Sequence, residues 1–177
     1  MSGLGKLGKL WETATTGWRA PAVLAAAGIG AINAAFFLQY VGGVQPCILC
    51  IYQRIPYAVA GALGLAALAF GRHRTLRAAL LALIAAAMVV DCGIAIFQVG
   101  IEHHWWAGTP GCGVPSPAAT MEELRARLLA APVVRCDEVS WSLFGISLAG
   151  YNIGITLVLA VFAGVATLKA AARVGRA

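Results

Sequence analysis

The chain has 177 residues, of which 60% are hydrophobic and 11% charged, with a formal net charge of +6 and a mean hydropathy of +0.82. A soluble domain carries roughly 25% charged residues, so this composition excludes an ordinary soluble domain and points to an integral membrane protein. The positive charge lies around the apolar runs, where it reports topology and gives no indication of nucleic acid.

Residues 1–19 read as a short basic tail. A membrane-crossing helix needs about 20 mostly apolar residues, because the hydrocarbon core is about 30 Å thick. Four runs meet that requirement, at about 20–44, 51–70, 76–98 and 143–168. The first is too long for the h-region of a cleavable signal peptide, and no A-x-A site precedes a soluble mature domain. Lys6, Lys9, Arg19, Arg72, Arg74, Arg77, Lys169, Arg173 and Arg176 all fall on one side of a four-pass topology. The positive-inside rule therefore predicts both termini in the cytoplasm. Residues 71–75 form a tight turn on that side. The opposite side has a short connection at about 42–50 and a long one at about 99–142.

Within the long connection, residues 118–131 read as a short helix. Thr120-x-x-Glu123 fits a capping box, and Pro132 ends the run. Met121, Leu124 and Leu128 share one face, and Glu123 and Arg127 form an i,i+4 pair. Such a helix either lies flat in the interface or packs on the loop. The expected fold is all-α: an integral membrane four-helix bundle with a long outer loop carrying a short amphipathic helix, a single membrane domain over 1–177.

The cysteines carry the chemistry. Cys47 and Cys50 sit at the outer edge of the bilayer, Cys112 and Cys136 in the long outer loop, and Cys92 inside the third helix. Disulfides persist on the outer side. Pro46 precedes the Cys47-x-x-Cys50 pair, and the second helix is expected to start at or just after Cys50. A thiolate there is stabilised by the helix dipole and free N–H groups. Arg54, one turn on, is a fixed cation able to stabilise a thiolate or a reduced anionic acceptor; it could also be a lipid anchor. A zinc site would need four ligands. Cys112 and Cys136 are 24 residues apart rather than close-spaced, and the compartment is oxidising, so no metal is expected.

The segments QPCILCIYQR and CDEVSWSLFGISLAGYN, with the four-pass topology, resemble the bacterial disulfide bond formation protein B (DsbB) family over the whole chain. The resemblance implies a thiol:quinone oxidoreductase of the inner membrane, with active-site loops in the periplasm. A soluble thioredoxin-fold oxidase of the DsbA type would be the partner, and ubiquinone or menaquinone the cofactor. It implies a Cys112–Cys136 disulfide attacked at Cys112, and a Cys47–Cys50 pair in which Cys50 faces the quinone. A transient Cys47–Cys136 bond would link the two pairs. Arg54 matches the family arginine near the quinone ring, and Glu102-His103 matches the family's Glu-His pair near the end of the third helix; all three are expected to take part in cofactor binding. The rival readings are a paralogue dedicated to one partner, or a non-enzymatic protein with structural loop disulfides.

Asp91, Ala95, Gln98 and Glu102 share one stripe of the third helix, expected to face the bundle. A carboxylate at Asp91 is expensive in a membrane; it is either structural or handles protons. Cys92 reads as a small hydrophobe. Asn33 and Asn152 are expected to bond between helices. Trp105, Trp106 and Trp141 are expected at the membrane interface. Pro56 either starts the second helix or kinks its first turns.

Overall fold

A computed structural model of the chain describes residues 2–109, 112, 120–122, 125 and 134–175. Its elements are α1 (Ser2–Ala14), α2 (Arg19–Tyr40), α3 (Ile48–Ala69), α4 (Arg74–Glu102), β1 (Ser142–Leu143), β2 (Ile146–Ser147) and α5 (Leu148–Val174). Helices α2 to α5 are each long and apolar enough to cross a membrane. Most of the expected amphipathic helix at 118–131 lies outside the described residues, as does its Glu123–Arg127 pair.

The element ends differ from the sequence expectation in instructive ways. Residues 2–14, expected to be a tail, form a helix whose Trp11 stacks edge-on against Phe162, with ring centroids 5.4 Å apart. Helix α2 ends at Tyr40 rather than about 44, because Gly43 takes a positive φ of 70° and turns the chain. Helix α3 starts at Ile48, before Cys50, because Cys47 itself is the N-cap. Pro56 neither starts nor ends α3; it lies inside the helix. Proline has no N–H, so the fourth carbonyl before it loses its helical donor. Helix α4 runs on to Glu102, which carries the Asp91–Glu102 stripe inside one helix.

Helix α5 begins at Leu148 rather than 143. Residues 142–147 instead form a two-stranded hairpin pairing Ser142 with Ser147 and Leu143 with Ile146. Phe144 and Gly145 form its turn with φ of 51° and 78°, the pattern of a two-residue turn matched to strand twist. Ser147 then caps α5, its Oγ accepting from the Gly150 amide at 3.1 Å.

The helices pack in chain order, α2 on α3, α3 on α4 and α4 on α5, while α2 scarcely touches α5. Close approach of α2 and α3 depends on Gly28: a Cβ there would lie 2.5 Å from the Tyr57 carbonyl oxygen. Small residues at such crossings let backbones approach and gain dispersion contacts where no hydrophobic drive separates lipid from side chain. One core closes the basic end of the bundle, with Ala20 and Leu24 meeting Leu81, Ile84, Phe162 and Ala166. At the cysteine end the bundle gapes between α2 and α5. Asn33, expected to bond across helices, is exposed, and its Nδ2 donates to the Ile29 carbonyl of its own helix at 2.8 Å. Its bonding need is met one turn back, so it has no reason to seek a neighbour.

Candidate active site at the cysteine end

Cys47 precedes Ile48 in extended backbone, with φ −74° and ψ 172°. That geometry turns its sulfur back over the first turn of α3. The Cys50 amide donates to Cys47 Sγ at 3.4 Å, satisfying one of the N–H groups a helix start leaves unpaired. The two sulfurs are 3.0 Å apart and both thiols are free. Cys47 is buried and Cys50 half-buried. The hydrogen bond to Cys50, and then burial, push the Cys47 thiol above its ordinary range.

A chain of hydrogen bonds across three helices ends on these sulfurs. The Tyr57 hydroxyl donates to Asn152 Oδ1 at 2.6 Å. Asn152 Nδ2 donates to Gln53 Oε1 at 3.0 Å. Gln53 Nε2 donates to Gln98 Oε1 at 2.9 Å. Gln98 Nε2 then donates to Cys50 Sγ at 3.3 Å and to Cys47 Sγ at 3.6 Å. Asn152 thus makes the interhelical bonds expected of it. Gln53 and Tyr57 were not anticipated from sequence. Their signal was present: with Cys50 they place polar groups at positions 50, 53 and 57, one stripe of an otherwise apolar span. Asp91 is fully buried, and among the described residues neither carboxylate oxygen has a partner at hydrogen-bond geometry.

A cavity of about 210 Å³ occupies the gap between α2, α3 and α5. Its α2 wall is built from Ala31, Ala34 and Ala35, whose short side chains leave the space open. Cys50, Arg54 and Glu102 line its polar end, and Trp141 also lines it. Arg54 is the only cation in this lining among the described residues. Its guanidinium lies 5.0 Å from the Phe36 ring centroid, a cation–π contact that fixes the head group against α2. Mostly apolar walls with a few polar groups at one end suit a flat apolar ring bearing carbonyl oxygens. Of the three residues singled out for cofactor binding, the structure brings Arg54 and Glu102 to the cavity. It does not bring His103, which is exposed at the C-cap of α4 and stacks on Trp105 at 5.4 Å.

The loop after α4 folds back towards the sulfurs. His104 adopts a positive φ of 57°, and the Trp105 amide donates to the Gly100 carbonyl at 2.8 Å. This left-handed C-terminal turn reverses the chain. Trp106 then packs its ring directly over Gly100, where no Cβ could fit. Its Nε1 donates to the Phe97 carbonyl at 2.9 Å. Cys112 and Cys136 form a disulfide. With Cys47, Leu49 and Ile101 they make one buried cluster, and Cys50 packs against it. Both disulfide sulfurs belong to side chains at most 1% exposed. Beside Cys136, Arg135 Nε donates to Asp137 Oδ1 at 2.9 Å. Those hydrogen bonds hold the Asp137 carboxyl below the usual carboxylate range. So the four cysteines outside the spans' interior converge, while Cys92 stays half-buried and free on α4.

Known proteins resemble the chain over most of its length. The model of the family described as "Disulfide bond formation protein DsbB" matches residues 18–166. The chain is 31% identical over 126 residues to disulfide bond formation protein B of Stutzerimonas stutzeri, covering 69% of this chain and 77% of that one. It is 33% identical to the protein of the same name from Psychrobacter sp., over 68% of this chain and 72% of the relative. It is also 33% identical to disulfide bond formation protein B 2 of Pseudomonas syringae, over 77% of each. No solved structure gives a significant match.

Proposed function

The chain belongs to the disulfide bond formation protein B family, and from that premise we propose that it is a thiol:quinone oxidoreductase that reoxidises a DsbA-type partner. Membership makes disulfide formation its role, as a multi-pass membrane oxidoreductase. The observation that carries the finer reading is that Cys50 and Arg54 line one apolar cavity while the loop disulfide packs against Cys47.

In this reading a partner thiolate attacks Cys112, forming a mixed disulfide and releasing Cys136 as the leaving thiolate. The partner's second thiol then displaces Cys112, so the partner leaves oxidised and the loop holds two thiols. Because Cys112 and Cys136 are both buried, the loop must lift before a thiolate can reach it in line. The loop dithiol next reduces a Cys47–Cys50 disulfide through a bond between Cys136 and Cys47, restoring Cys112–Cys136. The resulting state, with Cys47 and Cys50 as thiols and the loop oxidised, is the pairing found here.

A quinone in the cavity would supply the terminal acceptor for two electrons and two protons. Arg54 would bind its oxygen and favour negative charge there, and Glu102 would hold or release a proton at the same end. Cys47 and Cys50 both line the cavity; in this reading Cys50 meets the quinone, and Cys47, packed with the loop disulfide, would close the new disulfide. His103 lies outside the lining and serves, in this reading, at the rim. A thiol relay is reversible and needs an electron sink; a lipid-soluble sink explains why the pair sits at a helix end in a membrane. The charge distribution supports cytoplasmic termini and periplasmic cysteines, in the bacterial inner membrane.

The test is loss of quinone absorbance on adding reduced thioredoxin-fold oxidase to the purified protein. Turnover is expected in the native chain and absent in Cys50→Ser. Native protein without quinone-dependent turnover would leave only structural disulfides; turnover surviving Cys50→Ser would move the quinone-facing role to another sulfur.

A further inference from the structure

The hydrogen-bonded chain from Tyr57 to the sulfurs has a direction. A phenol has one proton to donate, whereas a primary amide carries donors on one end and an acceptor on the other. With the Tyr57 proton given to Asn152 Oδ1, Asn152 must present its Nδ2 to Gln53 Oε1. Gln53 must then present Nε2 to Gln98 Oε1, and Gln98 is left with Nε2 facing the sulfurs. Turning any one amide round would set donor against donor or acceptor against acceptor. Gln53 and Gln98 are buried and meet open space only through the cavity they line, so an unmet polar group there carries a desolvation cost.

We propose that this chain makes Gln98 a fixed donor that selects Cys50 as the anionic sulfur of the pair, with Tyr57, Asn152 and Gln53 as positioning residues that hold Gln98 in that orientation. The shorter of its two sulfur contacts is to Cys50. The free amide at the helix start goes to Cys47 Sγ at 3.4 Å, so the preference for Cys50 rests on the Gln98 donor and not on the helix end. Cys47, which caps the helix, is left as the protonated neighbour. The selection matters because only the thiolate is the nucleophile. The proposal deepens the oxidoreductase reading by naming what sets the order of the two cysteines, yet it concerns the reduced protein alone.

The experiment is therefore alkylation of reduced, quinone-free protein in detergent, followed against pH, with Cys112 and Cys136 replaced by serine to leave the pair as the fast-reacting thiols. Cys47→Ser and Cys50→Ser variants of that background assign the signal. A hydrogen bond to a charged group is strong enough to move such a profile by about one pH unit or more. Gln98→Met, close in volume and without a donor, is expected to slow alkylation of Cys50 at pH 7 about tenfold and to move the midpoint upward by about one unit. Tyr57→Phe removes only the proton that sets the direction. It is expected to move the profile the same way by a smaller amount, although its hydroxyl is four hydrogen bonds from the sulfur. Profiles of both variants that superimpose on the parent would overturn the proposal, as would faster alkylation at Cys47 than at Cys50 in the parent. If Gln98→Met does not fold, the Tyr57→Phe profile decides alone. Because no quinone or partner takes part, loss of the oxidoreductase reading would leave this result standing, and the reverse.

Discussion

Replacing Arg54 by methionine separates what the side chain does for the cavity from what it does for the fold. In the fold it makes one identifiable interaction, the 5.0 Å approach to the Phe36 ring. Among the described residues no carboxylate lies within ion-pair distance of it. A cation–π contact at a partly exposed site contributes about 0.5–1 kcal/mol. For a chain of this size that corresponds to a melting shift of roughly 2–4 °C at most. In the cavity Arg54 is the lining cation, and a hydrogen bond to a charged group is worth about 1.5–3 kcal/mol. At about 1.4 kcal/mol per factor of ten, Arg54→Met should lower kcat/KM for quinone by roughly 10- to 150-fold. Arg54→Lys keeps the charge without the planar fork and should fall less. The assay is initial-rate loss of quinone absorbance at saturating reduced partner, with thermal unfolding run on the same preparations. A folded Arg54→Met protein with unchanged kcat/KM would refute the reasoning, since no other described lining residue carries a positive charge.

The α2–α3 crossing gives a stability test: Gly28→Ala places a Cβ 2.5 Å from one backbone atom and 2.7 Å from another. Overpacking of that kind costs about 1–3 kcal/mol and should lower the melting temperature in detergent. Gly30→Ala, with nothing within 4 Å of its Cβ, should leave it unchanged or slightly raised. Asp137 gives a pH test. Its folded value is depressed by Arg135, so the tie is fully present above the unfolded value near 3.9 and is lost as pH falls through the folded value. Reduction of Cys112–Cys136 by a phosphine should then be a few-fold faster in Asp137→Asn at pH 7, and the difference should close only below about pH 4.

Hydropathy alone located the four spans, because bilayer thickness imposes a length that few other constraints blur. It could not locate their ends. Those were set by short-range geometry: the Gly43 turn, the Phe144–Gly145 hairpin, and a cysteine acting as a cap. The Cys47–Cys50 pair and Arg54 were legible because reactive residue types stand out in an apolar run. The amide chain was only half legible. Asn152 and the Gln98 stripe were visible, but joining them to Gln53 required the rotation of three helices, with partners 45 and 99 residues apart. Period reports which face a residue occupies, never which residue it meets. Likewise Glu102 and His103 are adjacent in sequence, yet the helix ends between them, so one lines the cavity and the other stacks on Trp105.

The sulfur of Cys47 is at once a reagent and a piece of secondary structure, since the Cys50 amide rests on it. If that sulfur joins Cys136, as in the proposed relay, the first turn of α3 would give up this anchor and be free to fray. When the sulfur returns, the turn is pinned again. The amide proton of Cys50 would thereby be shielded and released in step with the proposed chemistry, so that the backbone would keep a running record of which covalent partner Cys47 has.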